Sequence, residues 1–280
     1  MRAGPLSKTI LITGCSSGIG YAAAHGLKSR GWRVFAAVRT LDDRARMEAE
    51  GLESAIIDHG NADSIESGLA EVLDRTGGRL DALFNNGAHG LSGAVEDLPP
   101  GALREIFEAN VIGLHDLTTR VIPVMRAQGH GRIVNHSSVL GLVPLKWRGA
   151  YATSKHALEG LTDCLRIEMA GTGIHVSTLN TGPVTSMIRI KSIPHFEKWI
   201  DWENSVRVEE YRNTLVKRLY EERGPDKFEL PPEAVVRKLV HALESPRPRP
   251  RYYITFPAHL AAFLKRILPQ RTQDWITTRY

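Results

Sequence analysis

The chain has 280 residues, 42% of them hydrophobic, which is enough for one large α/β core without a partner domain. No run of eighteen apolar residues occurs, which excludes a spanning helix, and Met1 to Lys8 lacks a signal-type apolar core, so a cytoplasmic protein is expected. The net charge of +5 is concentrated at the C-terminus, where residues 246–280 carry seven arginines and lysines against Asp274 alone; with no zinc-finger or RNA-binding pattern beside it, this does not point to nucleic acid.

Apolar β-rich runs alternate with helical patterns along the chain. Strands are predicted at Lys8–Thr13, Arg33–Arg39, Ser54–Asp58, Leu80–Asn85, Arg132–Ser137, His175–Asn180 and Tyr252–Phe256. Helices are predicted at Ile19–Arg30, near Ala62–Arg75, across Pro99 to Gln128, at Tyr151–Ala170, at Pro231–Leu243 and at Leu260–Leu268. Strand–helix alternation of this kind implies an α/β fold with a doubly wound parallel sheet. Strands such as Val34–Val38, apolar throughout, suit a sheet covered on both faces. Residues 185–230 read as irregular and as a lid. The expected layout is one domain over 1–256 and a basic amphipathic helical extension over 257–280. Cys15 and Cys164 have no metal-ligand spacing, so neither a disulfide nor a metal site is expected.

Two local patterns carry chemistry. The first strand runs into Thr13-Gly14-Cys15-Ser16-Ser17-Gly18-Ile19-Gly20, a glycine-rich turn that opens a helix. There the backbone can approach a pyrophosphate and helix N–H groups face the anion, as in Rossmann-type dinucleotide sites. The second is Tyr151-Ala-Thr-Ser-Lys155, where a phenol and an ammonium four residues apart share a helix face. Of the seven tyrosines, only Tyr151 has such a lysine, and the ammonium is expected to lower the phenol's pKa. Ser138 ends the strand thirteen residues earlier, and ligands of open α/β sheets bind at strand carboxyl ends. The second strand ends Val38-Arg39-Thr40 with no acid until Asp42; a guanidinium there suits a phosphate, so NADP(H) is the expected cofactor.

With these residues in place, the sequence resembles the short-chain dehydrogenase/reductase family, over about residues 8–190. The resemblance rests on the glycine turn, Asn85-Asn86, Asn110, Ser138, Tyr151, Lys155 and Gly182-Pro183-Val184. Within the family it is most similar to bacterial NADP-dependent aldehyde reductases, and less so to the hydroxysteroid and retinol dehydrogenase branch. The resemblance implies a carbonyl/alcohol oxidoreductase. Tyr151 would be the acid/base, Lys155 would lower its pKa and hold the nicotinamide ribose, and Ser138 would bind the substrate oxygen. Asn110 would anchor a water that feeds protons to Lys155, and Asp58 would bind the adenine amino group. Cofactor contacts are also expected from Gly14, Ser16, Ser17, Gly18, Ile19, Gly20, Asn85, Gly182, Pro183, Val184 and Ser186.

The sequence departs from the family pattern in three places. Asn85-Asn86-Gly87-Ala88 replaces Asn-Asn-Ala-Gly, Thr181-Gly182 replaces Pro-Gly, and Ser186 stands where a threonine is usual. His89, Leu142 and Trp147 are expected to face an apolar carbonyl or alcohol substrate. His136 reads as a satisfied buried histidine, and His25, His59, His130 and His241 as surface or turn residues. A homo-oligomer, dimer or tetramer, is the expected assembly. A non-catalytic NADP(H) sensor and a membrane-surface scaffold stand as alternatives to the enzyme. In the tail, Leu260, Phe263, Leu264, Ile267 and Leu268 form an apolar stripe beside Lys265 and Arg266. That stripe fits either packing on the body or a second subunit, or weak peripheral contact with an anionic membrane.

Overall fold

The computed structural model describes residues 7–222 and 224–279, so most of the Met1–Lys8 segment lies outside the described residues. Its seven strands are β1 (Thr9–Ile12), β2 (Arg33–Val38), β3 (Glu53–Ile56), β4 (Ala82–Asn85), β5 (Gly131–Ser138), β6 (Ile174–Thr181) and β7 (Arg251–Ile254). They form one parallel sheet in the order β3-β2-β1-β4-β5-β6-β7. The strand order reverses direction between β1 and β4, which opens a crevice at the carboxyl ends of those strands.

Strand alternation sends side chains to two cores. Ile10 and Ile12 of β1 point to the face covered by α1 (Gly18–Lys28) and α10 (Glu233–Glu244), where Ala23, Leu27, Val235 and Leu239 pack. Leu11, between them, points to the face covered by α3 (Ala62–Thr76), α5 (Gly113–Gln128) and α6 (Gly149–Glu168). Burial on both faces explains why the central strands are apolar throughout.

The long helical stretch expected over Pro99 to Gln128, with turn residues inside it, is α4 (Pro100–Phe107), a π turn over Glu108–Ile112 and then α5. The π turn carries the fully buried Asn110. Three helical regions differ from expectation. α2 (Leu41–Ala49) buries only Met47, so charge masks its period. The 185–230 segment is largely helical: α7 (Ile188–Trp199), α8 (Val208–Glu210), a π turn over Tyr211–Val216 and α9 (Lys217–Tyr220). Phe196, Tyr211, Leu215 and Leu219 of that segment join Leu91, Ala102 and Ile106 in a third apolar cluster. Beyond β7, α11 (Phe256–Ile267) is followed by α12 (Gln270–Arg279), which buries no residue.

α11 sits on the body through its small side chains, Ala258 and Ala262. Its bulky stripe faces outward, with Phe256, Leu260, Phe263 and Ile267 all exposed and Phe263 60% so. Leu264 and Leu268 of the expected stripe are half-buried, so the stripe is turned only partly away from the body. Among the described residues, no helix is long and apolar enough to cross a membrane.

Close backbone approach at the start of α5 generates a paired prediction. A Cβ on Gly113 would lie 1.8 Å from the His59 carbonyl oxygen, whereas one on Gly160, in α6, would meet open space. Gly113→Ala should lower stability in urea unfolding by at least about 1–3 kcal/mol, the usual cost of forcing atoms into a packed site. Gly160→Ala should raise it by about 0.5–1 kcal/mol, the helix-propensity gain over glycine. Equal effects would contradict this packing.

Candidate active site

One cleft at the carboxyl ends of β1, β2, β4 and β5 brings together most of the expected residues. It is lined by Gly14, Ser16, Ser17, Gly18 and Ile19 of the glycine turn, by Arg39 and Asp58 from the ends of the next two strands, and by Tyr151, Lys155 and Ser186. Gly14 and Gly18 have φ of +70° and +57°, which L side chains rarely adopt. A Cβ on Gly20 would come 2.3 Å from the Gly14 carbonyl oxygen, so helix α1 can start this close to the turn only with glycine there. The altered Asn85-Asn86-Gly87-Ala88 loop fits the same cradle. A Cβ on Gly14 would be 2.8 Å from Gly87 Cα, so these two glycines lie against each other, and Ala88 lines the cleft beside them.

Asn86, rather than Asn85, binds that loop to the turn. Its Nδ2 donates to the carbonyl oxygens of Thr13 (3.0 Å) and Gly14 (3.3 Å). The Thr13 hydroxyl accepts from the N–H groups of Asn86 (3.0 Å) and Gly87 (2.9 Å). Asn85 points the other way, into the protein, where its Nδ2 donates to Thr118 Oγ1 and Asn135 Oδ1. Consecutive strand residues face opposite sides, so only one of the pair can reach the cleft.

At the other wall, β5 and α6 place Ser138, Tyr151 and Lys155. Lys155 is buried and its Nζ donates to the His136 carbonyl at 2.8 Å. The ammonium lies 5.7 Å from the centre of the Tyr151 ring. Burial pushes Lys155 down to about 8, against the pull of Glu159. Burial also pushes the Tyr151 phenol up to about 12, opposed by a hydrogen bond with Ser138 and by the Arg148 charge. Burial sets the direction of the phenol's shift while it is protonated. Ser138 Oγ accepts from the Leu140 N–H at 3.1 Å, which leaves its own proton free to donate.

His136 is held at both ring nitrogens. Nδ1 lies 2.9 Å from Asn86 Oδ1 and Nε2 lies 3.1 Å from Thr181 Oγ1. Because Asn86 Nδ2 is already donating to carbonyls, its Oδ1 accepts, which puts the His136 proton on Nδ1. Burial and then Lys155 push this imidazole down to about 3.

Several other residues sit apart from where the sequence reading put them. The Asn110 side chain clamps the main chain of His89, accepting from its N–H (3.0 Å) and donating to its carbonyl (3.0 Å), with Ser154 Oγ at 3.2 Å. Gly182, Pro183 and Val184 do not line the cleft. Gly182 N–H donates to the Ile254 carbonyl, Pro183 O accepts from Leu230 N–H, and Val184 pairs with Leu230. Leu142 is buried beside Gly141, Glu159 and Arg251 in a separate cavity behind α6. Trp147, at φ +65°, packs on the Tyr211 ring at 4.5 Å in the third apolar cluster. His59 is no surface histidine: it is buried against Gly87, lines the cleft, and burial pushes it down to about 4. Nothing in its spacing sets it apart; it is covered by segments distant in sequence, with its ring against Gly87 and its main chain under Gly113 of α5.

His89 lines the cleft and stacks on His195 of α7 at 3.9 Å, and His195 Nδ1 lies 2.6 Å from Glu105 Oε1. Burial would raise the Glu105 carboxyl, but Lys198 and His195 override it and hold it down to about 2. The ligand-type atoms of His89, Glu105 and His195 lie within 4.8 Å of one another, a grouping that no sequence spacing signals. These contacts fasten α7 to α4.

The profile of the short chain dehydrogenase family matches residues 8–195. The chain belongs to that family. It is 37% identical to an uncharacterized oxidoreductase of Escherichia coli (strain K12), YbbO, over 97% of this chain and 94% of the relative. It is 31% identical to human 17-beta-hydroxysteroid dehydrogenase type 1 over 88% of this chain and 77% of the relative. The crystal structure of a short chain dehydrogenase/reductase from Burkholderia phymatum in complex with NAD superposes with a TM-score of 0.77, at 26% identity, over 98% of this chain and 96% of that one. The chain is thus a short-chain oxidoreductase with the family's α/β fold.

A prediction follows from His136. A neutral ring with a pKa of about 3 should show no imidazole titration between pH 5 and 8 in NMR of the folded protein. His136→Leu strands Asn86 Oδ1 and Thr181 Oγ1, and should cost about 1–3 kcal/mol in urea unfolding. Titration near 6.5 would refute the assignment.

Proposed function

We propose that this chain is an NADP(H)-dependent short-chain oxidoreductase that interconverts an apolar aldehyde or ketone and its alcohol. The observation that carries the reading is that Tyr151 and Lys155 line the cleft opened by the glycine turn, with Ser138 close enough to act on the Tyr151 phenol. The cradle fits a dinucleotide, since added Cβ atoms at Gly14 or Gly20 would close it and the N-terminus of α1 faces it. When bound, the nicotinamide supplies or accepts the hydride.

The chain's own groups manage the proton and the oxygen. Tyr151, kept protonated by burial, gives its proton to the carbonyl oxygen during reduction. Ser138, its oxygen fixed by the Leu140 N–H, turns its own proton to the same oxygen as charge develops. The nearby Lys155 ammonium stabilises the phenolate left behind. A cofactor sensor would need no phenol beside a serine hydroxyl at this wall of the cleft.

Arg39 supports the choice of NADP(H). It lines the cleft just past β2, forms no ion pair among the described residues, and no acid occupies the strand end. An apolar substrate is supported by Met187 and Ile188, which line the cleft on the lid side, and by the similarity to a hydroxysteroid dehydrogenase.

Tyr151→Phe keeps the ring packing and removes the acid. It should lower kcat by at least about a hundredfold, with NADPH affinity within a few-fold of the parent, measured in a screen of aldehydes and ketones that follows NADPH absorbance. A near-parental rate would reject the assignment. The parent should favour NADPH over NADH by more than about tenfold in kcat/KM, a difference of about 1.4 kcal/mol. Arg39→Asp should narrow or invert that ratio, and equal use of both cofactors by the parent would reject the NADP(H) reading.

A further inference from the structure

We infer that Lys191, on the lid helix α7, completes the subsite for the 2′-phosphate, so that this phosphate also holds the lid over the cleft. The inference rests on the NADP(H) reading above and adds to it a residue from a distant part of the chain. Lys191 Nζ reaches 175 residues back to the glycine turn, where it donates to Ser16 Oγ at 3.1 Å and to Ser17 Oγ at 2.8 Å. Both of these acceptors are neutral hydroxyls. Lys191 and Arg39 line the same cleft, close enough for the arginine's charge to act on the ammonium.

The charges around this corner do not balance. Arg46 also donates to the turn, from Nη2 to the Ser16 carbonyl at 2.8 Å, but its charge is met by Asp43 (2.7 Å) and Glu50 (3.7 Å). Asp43 is the carboxylate whose charge reaches Lys191, and both of its oxygens are taken: Oδ1 by Arg46 and Oδ2 by the Thr40 hydroxyl at 3.1 Å. Neither Arg39 nor Lys191 has an ion-pair partner among the described residues. Two cations and two hydroxyls around one corner of a dinucleotide cleft form a receptor for a dianionic phosphate.

Position decides which phosphate. Arg39 stands at the end of β2, where this class of site meets the adenosine ribose, and Lys191 acts on the same corner as Arg39. Lys191 lies in the first turn of α7, and Ser186 just before that helix packs on Gly18, where an added Cβ would come 3.4 Å from Ser186 Cβ. A phosphate held by Lys191 therefore fixes the start of α7 against the glycine turn. NADH, lacking that phosphate, leaves Lys191 with only the two serine hydroxyls, a weaker tie between neutral acceptors and the ammonium.

The test compares the parent with Lys191→Met and Lys191→Arg, all full-length. Binding of NADPH and NADH is followed by nucleotide fluorescence without substrate, and hydrogen exchange of residues 186–199 is measured with each nucleotide. Lys191 is exposed and its bonds are to surface hydroxyls, so the variants should fold. Lys191→Met should weaken NADPH by about tenfold, the scale of one charge-assisted contact, and NADH by less than about twofold. NADPH should slow exchange in 186–199 in the parent and in Lys191→Arg, but not in Lys191→Met. Equal weakening of both nucleotides would place Lys191 on the pyrophosphate and overturn the inference. An unchanged NADPH/NADH affinity ratio in Lys191→Met, with a parent that prefers NADPH, would also overturn it and leave the NADP(H) reading intact. A parent that binds both equally would remove that reading first, and the inference with it.

Discussion

The imidazole of His136 is the joint on which the site's geometry depends. Its ring bridges Asn86 of the loop after β4 and Thr181 of β6, and its main-chain carbonyl receives the Lys155 ammonium. Asn86 in turn holds the carbonyls of Thr13 and Gly14. One residue thus links the glycine turn and three adjacent strand ends through its ring, and the helix that carries Tyr151 and Lys155 through its main chain. Burial keeps the ring neutral, and neutrality gives it one donor and one acceptor, which is the pairing its two neighbours need.

Around that joint, desolvation sets the protonation of the reactive groups. It raises Tyr151 and lowers Lys155, so each is pushed toward its uncharged form. The two shifts have one cause, burial against β5 and α6, and they move the two pKa values apart, the phenol up to about 12 and the amine down to about 8.

The sheet, its order of alternation and the Ser138, Tyr151 and Lys155 constellation were legible because each has a local signature: a glycine turn after a strand, or two polar groups one helical turn apart. Orientation within a strand was less legible. Asn85 and Asn86 look alike in sequence, yet one bonds within the core and the other within the cleft. α2 and α7 were hidden because their burial is slight or broken: α2 covers one methionine, and α7 carries Pro194 and buries only Ser192 and Phe196. Leu142 was misplaced because the chain turns behind α6 after Ser138 instead of along the cleft. Contacts such as Lys191 with Ser16, or His59 beneath Gly113, join segments far apart in the chain and have no local pattern to read.

The π turn between α4 and α5 has a bearing on how the chain tolerates insertion and deletion. Five residues, Glu108–Ile112, close a turn that an α-helix closes with four bonds' spacing, so the turn holds a residue beyond the regular count. Each residue of an α-helix advances the winding by about 100°. Loss of one residue here would let the stretch run on as a regular helix with both faces in place, whereas regular winding with the extra residue kept would rotate either α4 or all of α5 by about that angle relative to the sheet. Leu117, Val121 and Met125 would leave their core, or Ala102 and Ile106 theirs. The irregular turn is thus a phase correction between two apolar faces, and Asn110, whose amide fixes the His89 main chain, sits at the point where the phase is made up.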